Sequence, residues 1–350
     1  MMLNELLETT IRKKASDLHL VTGIPPVLRI NGNLIRMDEA KLSPQDTEKF
    51  AKQILGDDFD SINERGEMDL SYSVSGLGRF RVNAYKQRGT VALAIRVVGA
   101  RIPEIDELGL PEVVKELSLS KRGLILVTGP AGSGKSTTLA AMINEINKNK
   151  SSHIITLEDP IEFLHKHDKS IVEQREIGKD TKNFRSALRA VLREDPDVIL
   201  IGELRDLDTI SVALTAAETG HLVLSTLHTV GAAKTINRLV DVFPPHQQQQ
   251  VKIQLASVLN GIVSQQLVPT SDGKSRVCAA ETMISTTAIQ NMIREGKTYQ
   301  IESALQTGSK YGMKTMDMSL VELYKKKLIS YEDALSHAVD REMLVRLLSL

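Results

Sequence analysis

The spacing of apolar and polar positions divides the chain into stretches of different character. Over residues 1–98 it predicts a small mixed domain, with a helix near 3–14, short strands at 18–21 and 27–30, and a helix around 44–55. Asp69 to Ser75 and Arg79 to Tyr85 alternate polar with apolar residues around the turn residues Gly76-Leu77-Gly78, which is the pattern of a hairpin. Val91 to Val97 adds a further strand. Gly99, Pro103, Gly109 and Pro111 then break all periodicity, so residues 99–111 are expected to be a linker and a second domain to begin at about 112. From 123 onward, apolar runs at 123–128, 153–157, 198–202 and 222–226 alternate with helical segments, the signature of a parallel sheet covered by helices. Phe243-Pro244-Pro245 interrupts that rhythm. Beyond it, Val251, Leu255, Val258, Leu259 and Ile262 recur at helical spacing and predict a helix over 246–266, opened by four glutamines that read as a solvated first turn. A strand at 276–284 and several short helices complete the pattern.

Composition narrows the classes of function. Hydrophobic residues make up 41% and charged residues 25%, as expected of a folded protein with two or three domains. Lys and Arg total 44 and Asp and Glu total 44, so net charge points to neither nucleic acid nor an anionic membrane. Trp is absent and aromatics are 3%, which leaves little material for a base-stacking platform. The one cysteine, Cys278, excludes an internal disulfide and a four-cysteine zinc site; beside Val277 and the alanines that follow, it reads as a small residue of a buried strand. Met1 to Arg12 lacks the apolar stretch of a signal peptide, and no run of about 18 apolar residues occurs, so a cytoplasmic protein without an integral membrane segment is expected.

The most specific chemical signal is Gly129-Pro130-Ala131-Gly132-Ser133-Gly134-Lys135-Ser136, which follows the strand Leu124 to Thr128 and opens a helix carrying Leu139, Met142, Ile143 and Ile146. That context defines a phosphate-binding loop. Its glycines let backbone N–H groups converge on phosphate oxygens, and the helix N-terminus adds partial positive charge. Lys135 is expected to neutralise the β and γ phosphates of ATP, and Ser136 to offer a hydroxyl to Mg2+; Thr137 completes the nucleotide-binding run.

In a parallel sheet the ligand sits at the carboxyl ends of the strands. His153 to Leu157 ends in Glu158-Asp159-Pro160-Ile161-Glu162, Asp197 to Ile201 in Gly202-Glu203, and Leu222 to Thr226 in Leu227-His228. Glu203 is placed to hold the magnesium water shell, although Gly202 sits where an Asp is more usual, and Glu158 to polarise the attacking water; a carboxylate suits either task, so the two roles are interchangeable. His228 is a candidate sensor of the γ phosphate. His221 reads better as shaping the turn after Glu218-Thr219-Gly220. Arginines cluster at Arg185, Arg189, Arg193 and Arg205 and at Arg79, Arg81, Arg88 and Arg96, more than one nucleotide needs, which suggests delivery between subunits of an assembly.

Ala15-Ser-Asp-Leu-His-Leu20, the phosphate loop, Leu157-Glu-Asp-Pro-Ile-Glu162, Asp195-Pro-Asp-Val-Ile-Leu-Ile-Gly-Glu-Leu-Arg-Asp206 and Thr219 to Thr229 together resemble the secretion ATPase superfamily of type II secretion and type IV pili, over nearly the whole chain. The resemblance implies an α/β protein with a PAS-like domain at 1–98, a linker at 99–111, a RecA-like ATPase core at 112–270 and a mostly helical subdomain at 271–350. It implies a homohexameric, cytoplasmic ring, peripheral at the inner membrane, acting on the pilus platform protein, with a second retraction ATPase as a further partner. Arg81 and Arg96 match arginines that reach a nucleotide, Arg189, Arg193 and Arg205 match further family arginines, and His221 with His228 match the family's His box. The short N-terminal domain, the lack of zinc cysteines and Ala288-Ile289-Gln290-Asn-Met-Ile-Arg294-Glu295 look most like the pilus-retraction branch and twitching motility. Gln290 departs from the arginine usual there. An assembly ATPase or a regulatory nucleotide-binding ring is the alternative.

Overall fold

The computed structural model describes residues 2–30, 32–98 and 101–349, so Gly99 and Ala100 of the predicted linker lie outside the described residues. The chain forms two units, residues 1–101 with 162–164, and residues 102–161 with 165–350.

The first unit is built on six strands: β1 (Asp17–Leu20), β2 (Val27–Ile30), β3 (Asn33–Arg36), β4 (Glu67–Val74), β5 (Gly78–Gln87) and β6 (Thr90–Val97). Their order is β3-β2-β1-β6-β5-β4, and each neighbouring pair is antiparallel. Alternation along the strands sends Leu18, Leu20, Phe80, Val82, Leu93 and Ile95 to one face. There they meet the helix Leu3–Arg12, which buries Leu3, Leu6, Leu7 and Thr10 on a single stripe, and the helix Pro44–Leu55 with Phe50, Ala51 and Ile54. The second helix starts where it does because Ser43 Oγ accepts from the Asp46 N–H at 3.2 Å while the Asp46 carboxylate accepts from the Ser43 N–H at 2.8 Å. Two elements escape the sequence pattern, namely β3, whose four side chains are all exposed, and the short helix Ser61–Arg65. Neither has an apolar rhythm to reveal it.

The second unit is organised by a seven-stranded sheet of β7 (Gly123–Thr128), β8 (His153–Glu158), β9 (Ile171–Glu176), β10 (Val198–Ile201), β11 (Leu222–Leu227), β12 (Leu259–Pro269) and β13 (Arg276–Ile284). The order is β13-β12-β7-β11-β10-β8-β9; all pairs are parallel except β12 with β13. Both faces are covered, which is why the central strands read as unbroken apolar runs. Leu124, Leu126, Ile155, Ile199 and Val223 pack under the helices Phe184–Val191, Leu207–Glu218 and Ala232–Asp241. Ile125, Val127, Ile154, Leu200 and Leu224 face the helix Lys135–Asn149 through Leu139, Met142, Ile143 and Ile146.

The helix expected over 246–266 is corrected here. It runs over Pro245–Val258, and the chain continues as β12. Leu259, Ile262 and Val263 are buried on both sides of that strand, so the alternation that would announce it is absent. The glutamine turn does open the helix, with Gln247, Gln249 and Gln250 exposed. Cys278 is buried in β13, and burial pushes its thiol up to about 12. After β13, Ile289, Ile293, Ile301 and Leu305 join the core that holds Leu124, Ile155 and Ile199, while Met316, Leu320, Ile329, Ala334 and Leu344 cover Val268 and Ala279.

Ile199, fully buried on the inner strand β10, sets the scale of this packing. Ile199→Ala is expected to lower unfolding free energy by about 2–5 kcal/mol in urea titrations, through lost transfer energy and an unfilled cavity. A loss under about 1 kcal/mol would mean that the sheet relaxes around the change.

Candidate active site

Parallel register brings the chemistry to one edge. Leu227 of β11 lies opposite Thr128 of β7, Ser225 opposite Ile201 of β10, and Ile201 opposite Leu157 of β8. The strand order therefore sets out, side by side, Glu158 at the end of β8, Glu203 after β10, His228 after β11 and the phosphate loop after β7.

The loop turns into the helix Lys135–Asn149 at Gly134, and no side chain caps the first turn, so its N–H groups face outward as an anion site. Lys135 is 8% exposed; its Nζ donates to the Gly129 and Pro130 carbonyls at 3.0 and 2.9 Å and stands 3.4 Å from His228 Nδ1. An ammonium has only donors, so a hydrogen bond between the two requires Nδ1 as the acceptor. Nε2 of His228 faces Glu203 Oε2 at 3.5 Å, and the other Glu203 oxygen is paired with Arg205. Lys135, His228, Glu203 and Arg205 thus form one continuous chain of charged and polar groups. The side chain of Glu203 is 14% exposed and that of Arg205 72%, so the acid is sheltered and its arginine reaches into solvent.

Glu158 is held by two donors on one oxygen, Thr156 Oγ1 at 2.6 Å and Gln174 Nε2 at 3.1 Å. Gln174 is fixed in turn by the His165 N–H, at 2.9 Å from its own oxygen. Thr156 and Gln174 were not singled out from sequence. Their signal was weak, a hydroxyl inside an apolar run and an amide on an edge strand not foreseen. Gly202 has a steric reason: a Cβ there would stand 3.3 Å from the Leu157 carbonyl and 3.6 Å from Glu158 Cα. An Asp at this position would crowd the end of β8.

The remaining sequence candidates lie elsewhere. His221 precedes β11, at the opposite edge of the sheet from His228, and its Nδ1 is 2.9 Å from the Ala216 carbonyl and 3.2 Å from Thr219 Oγ1. It closes the turn after the helix Leu207–Glu218. Arg189 and Arg193 are exposed, and Arg193 donates to the Arg189 carbonyl at 3.1 Å. Arg185 pairs with Asp208 at 3.0 Å. In the helix Thr287–Arg294, Ile289 and Ile293 are fully buried, whereas Ala288, Arg294 and Glu295 are exposed. Gln290 Nε2 reaches the Ser285 carbonyl at 3.5 Å, and Glu295 pairs with Lys297 at 2.7 Å.

Arg81 and Arg96 belong to the first unit, where they sit directly opposite each other on β5 and β6. Arg96 also faces Asp17 of β1, and Asp17 faces Arg29 of β2, so four charged residues form one row across the sheet. Asp17 Oδ1 accepts from Arg96 Nε at 2.9 Å, and Arg29 Nε is 3.9 Å from its other oxygen. Burial alone would raise the Asp17 pKa; the Ser16 hydroxyl and the Arg96 guanidinium outweigh it and hold the carboxyl below its ordinary value. This gives the Ala15-to-Leu20 motif a physical role, the orientation of Arg96.

A parallel sheet with a phosphate loop at its carboxyl edge, a buried lysine and two carboxylates on adjacent strand ends defines a P-loop ATPase. The chain belongs to the type II/IV secretion system protein family, whose profile matches residues 1–341. It is 48% identical over 336 residues, 95% of this chain and 96% of the other, to the type IV pilus retraction ATPase PilT of Pseudomonas aeruginosa. It is 44% identical over 338 residues, 96% of this chain and 90% of the other, to a twitching motility protein of Neisseria gonorrhoeae. A crystal structure of the pilus retraction motor PilT with bound ADP superposes with a TM-score of 0.93 at 51% identity, covering 99% of both chains.

The depressed Asp17 pKa fixes a sign. Its stabilisation is present above the ordinary carboxylate value and is lost as pH falls through the folded value. Asp17→Asn is therefore expected to cost about 1 kcal/mol in urea unfolding near neutral pH, discounted for the exposed Arg96. The difference from the parent should shrink as pH falls below the ordinary carboxylate value and through the depressed one of folded Asp17; a difference independent of pH would mean that the carboxylate charge contributes nothing.

Proposed function

We propose that this chain is the subunit of a hexameric, ATP-hydrolysing ring that drives retraction of a type IV pilus, and so twitching motility. The observation that carries this reading is the likeness to the ADP-bound retraction motor along 99% of both chains at a TM-score of 0.93. The near-complete match to a pilus retraction ATPase supports it independently.

Within this reading residues 1–98 form a PAS-like domain, supported by an antiparallel sheet in which β1 lies beside the last strand, β6. Residues 112–270 form the RecA-like core and 271–350 a mostly helical subdomain. ATP lies on Gly129 to Thr137, with its phosphates against the N–H groups of the loop and the first helical turn. Lys135 neutralises the β and γ phosphates. Ser136, in the first turn, and the sheltered carboxylate of Glu203 supply hard oxygen donors that suit Mg2+, the latter through water. When bound, Mg2+ spreads the negative charge of the transferring phosphoryl group. Glu158, oriented by Thr156 and Gln174, accepts a hydrogen bond from the attacking water. His228 touches both Lys135 and Glu203, so it is placed to register whether a γ phosphate is present.

Arg81 and Arg96 act as the arginines that reach a nucleotide, and Arg189, Arg193 and Arg205 form a second arginine set around the ring. The helix Thr287–Arg294 offers its exposed Ala288, Arg294 and Glu295 to a partner at the inner-membrane platform. No helix of the described residues is long and apolar enough to cross a membrane. In this reading the ring sits peripherally on the cytoplasmic side of the pilus machine and cooperates with a second ATPase of the same kind.

The test is steady-state ATP hydrolysis with particle size measured in the same buffer. The parent should turn over ATP as a six-subunit particle. Lys135→Ala should lose hydrolysis, and Glu203→Gln should lose at least about a hundredfold in kcat while still binding ATP. Parental turnover in Glu203→Gln would remove the role given to that carboxylate. A six-subunit particle that binds ATP without Lys135-dependent turnover would replace the motor with a regulatory ring.

A further inference from the structure

Gln265 lies on β12 one residue beyond the last β12–β7 pair, Ser264 with Thr128, and therefore runs alongside Gly129, where the phosphate loop begins. The approach is close. A Cβ on Gly129 would stand 2.2 Å from the Gln265 carbonyl oxygen, and a Cβ on Gly134 would stand 3.2 Å from Gln265 Nε2. Both glycines also have positive φ, 141° and 89°, which other residues rarely adopt. Between these two points Gln265 Nε2 donates to the Ser133 carbonyl at 2.7 Å. One residue of a neighbouring strand thus touches the loop at its first residue and at its entry into the helix.

The direction of that bond matters for anion binding. A trans peptide points its C=O and N–H to opposite sides. Holding the Ser133 carbonyl against Gln265 turns the Gly134 N–H away from β12, and loop N–H groups bind an anion only when they converge on it. With the carbonyl released, the same peptide can rotate and present a lone pair to the phosphate.

For packing alone a glutamine is a poor choice here. Gln265 is 2% exposed, and among the described residues its Oε1 is buried without a hydrogen-bond partner. Its neighbours on the same face, Val263 and Leu267, pack in an apolar core. A buried amide oxygen without a partner costs stability that an apolar side chain of similar size avoids.

We propose that Gln265 is a positioning residue of the nucleotide site, fixing the peptide between Ser133 and Gly134 so that the Gly134 N–H serves the phosphates. Its contribution is to nucleotide affinity, and it touches neither the γ phosphate nor the attacking water. The inference rests on Gly129 to Ser136 being the nucleotide loop, for which Lys135→Ala is the control.

The experiment measures the affinity of the full chain for a fluorescent ADP, together with kcat and KM for ATP and thermal unfolding. Gln265→Met is expected to unfold no earlier than the parent, to bind ADP about tenfold or more weakly and to raise KM for ATP by a similar factor, with kcat changed less. Gln265→Glu sets a carboxylate against the Ser133 carbonyl. Its affinity should fall further and recover as pH is lowered, because the protonated acid regains a donor, a response the parent lacks. Parental ADP affinity in Gln265→Met, alongside lost binding in Lys135→Ala, overturns the inference and leaves the loop reading standing. Retained binding in both variants overturns the loop reading as well. If Gln265→Met fails to fold, Gln265→Glu decides: a pH response no different from the parent's rejects the positioning role.

Discussion

The parallel pairing of β7 with β11 on one side and β12 on the other is the constraint from which the rest of this molecule follows. Parallel strands expose their carboxyl ends at the same edge, and helices on both faces leave that edge as the place where backbone can approach a ligand. The phosphate loop is an extension of β7 that must turn at once into a helix. It is braced by β12 on one flank and faces β11 and β10 on the other. A shift in the register of β11 would move His228 away from Lys135 and break the chain that runs through Glu203 to Arg205.

Burial and exposure are divided along that chain in a way that suits phosphoryl transfer. Lys135 and Glu203 are sheltered, which strengthens their fields, while His228 and Arg205 lie at the open side. Glu158, at the end of the adjacent strand β8, accepts on one oxygen from Thr156 and Gln174. Two carboxylates at one site in different surroundings are what a division of labour between water activation and metal binding requires. The first unit shows a related economy. A single acid, Asp17, lies in register between Arg29 and Arg96, so the row of charge on that sheet is held in place by one residue.

How much of this was legible in the sequence depended on whether each feature has a local cause. The phosphate loop did, because glycine spacing between a strand and a helix leaves few alternatives. The strands β7, β8, β10 and β11 did, because two covered faces demand continuous apolar runs. The strand β3 did not, since an exposed edge strand needs no pattern, and β12 was read as helix because Val258, Leu259 and Ile262 satisfy helical spacing equally well. The family resemblance pairs His221 with His228, although His221 by its own surroundings reads as shaping a turn. In three dimensions, a strand of six residues separates them, and only His228 reaches the loop.

The sequence by itself therefore determined the class of chemistry and the elements that carry it, since a helix N-terminus, a lysine and strand-end carboxylates are local properties of the chain. Only the tertiary structure decided which residues act together. Gln265 meets Ser133 across 132 positions of sequence, and Lys135 meets His228 across 93. Contacts at such separations depend on strand order and register, and these are set by how the whole sheet buries its two faces, a sum over many side chains that no single segment records.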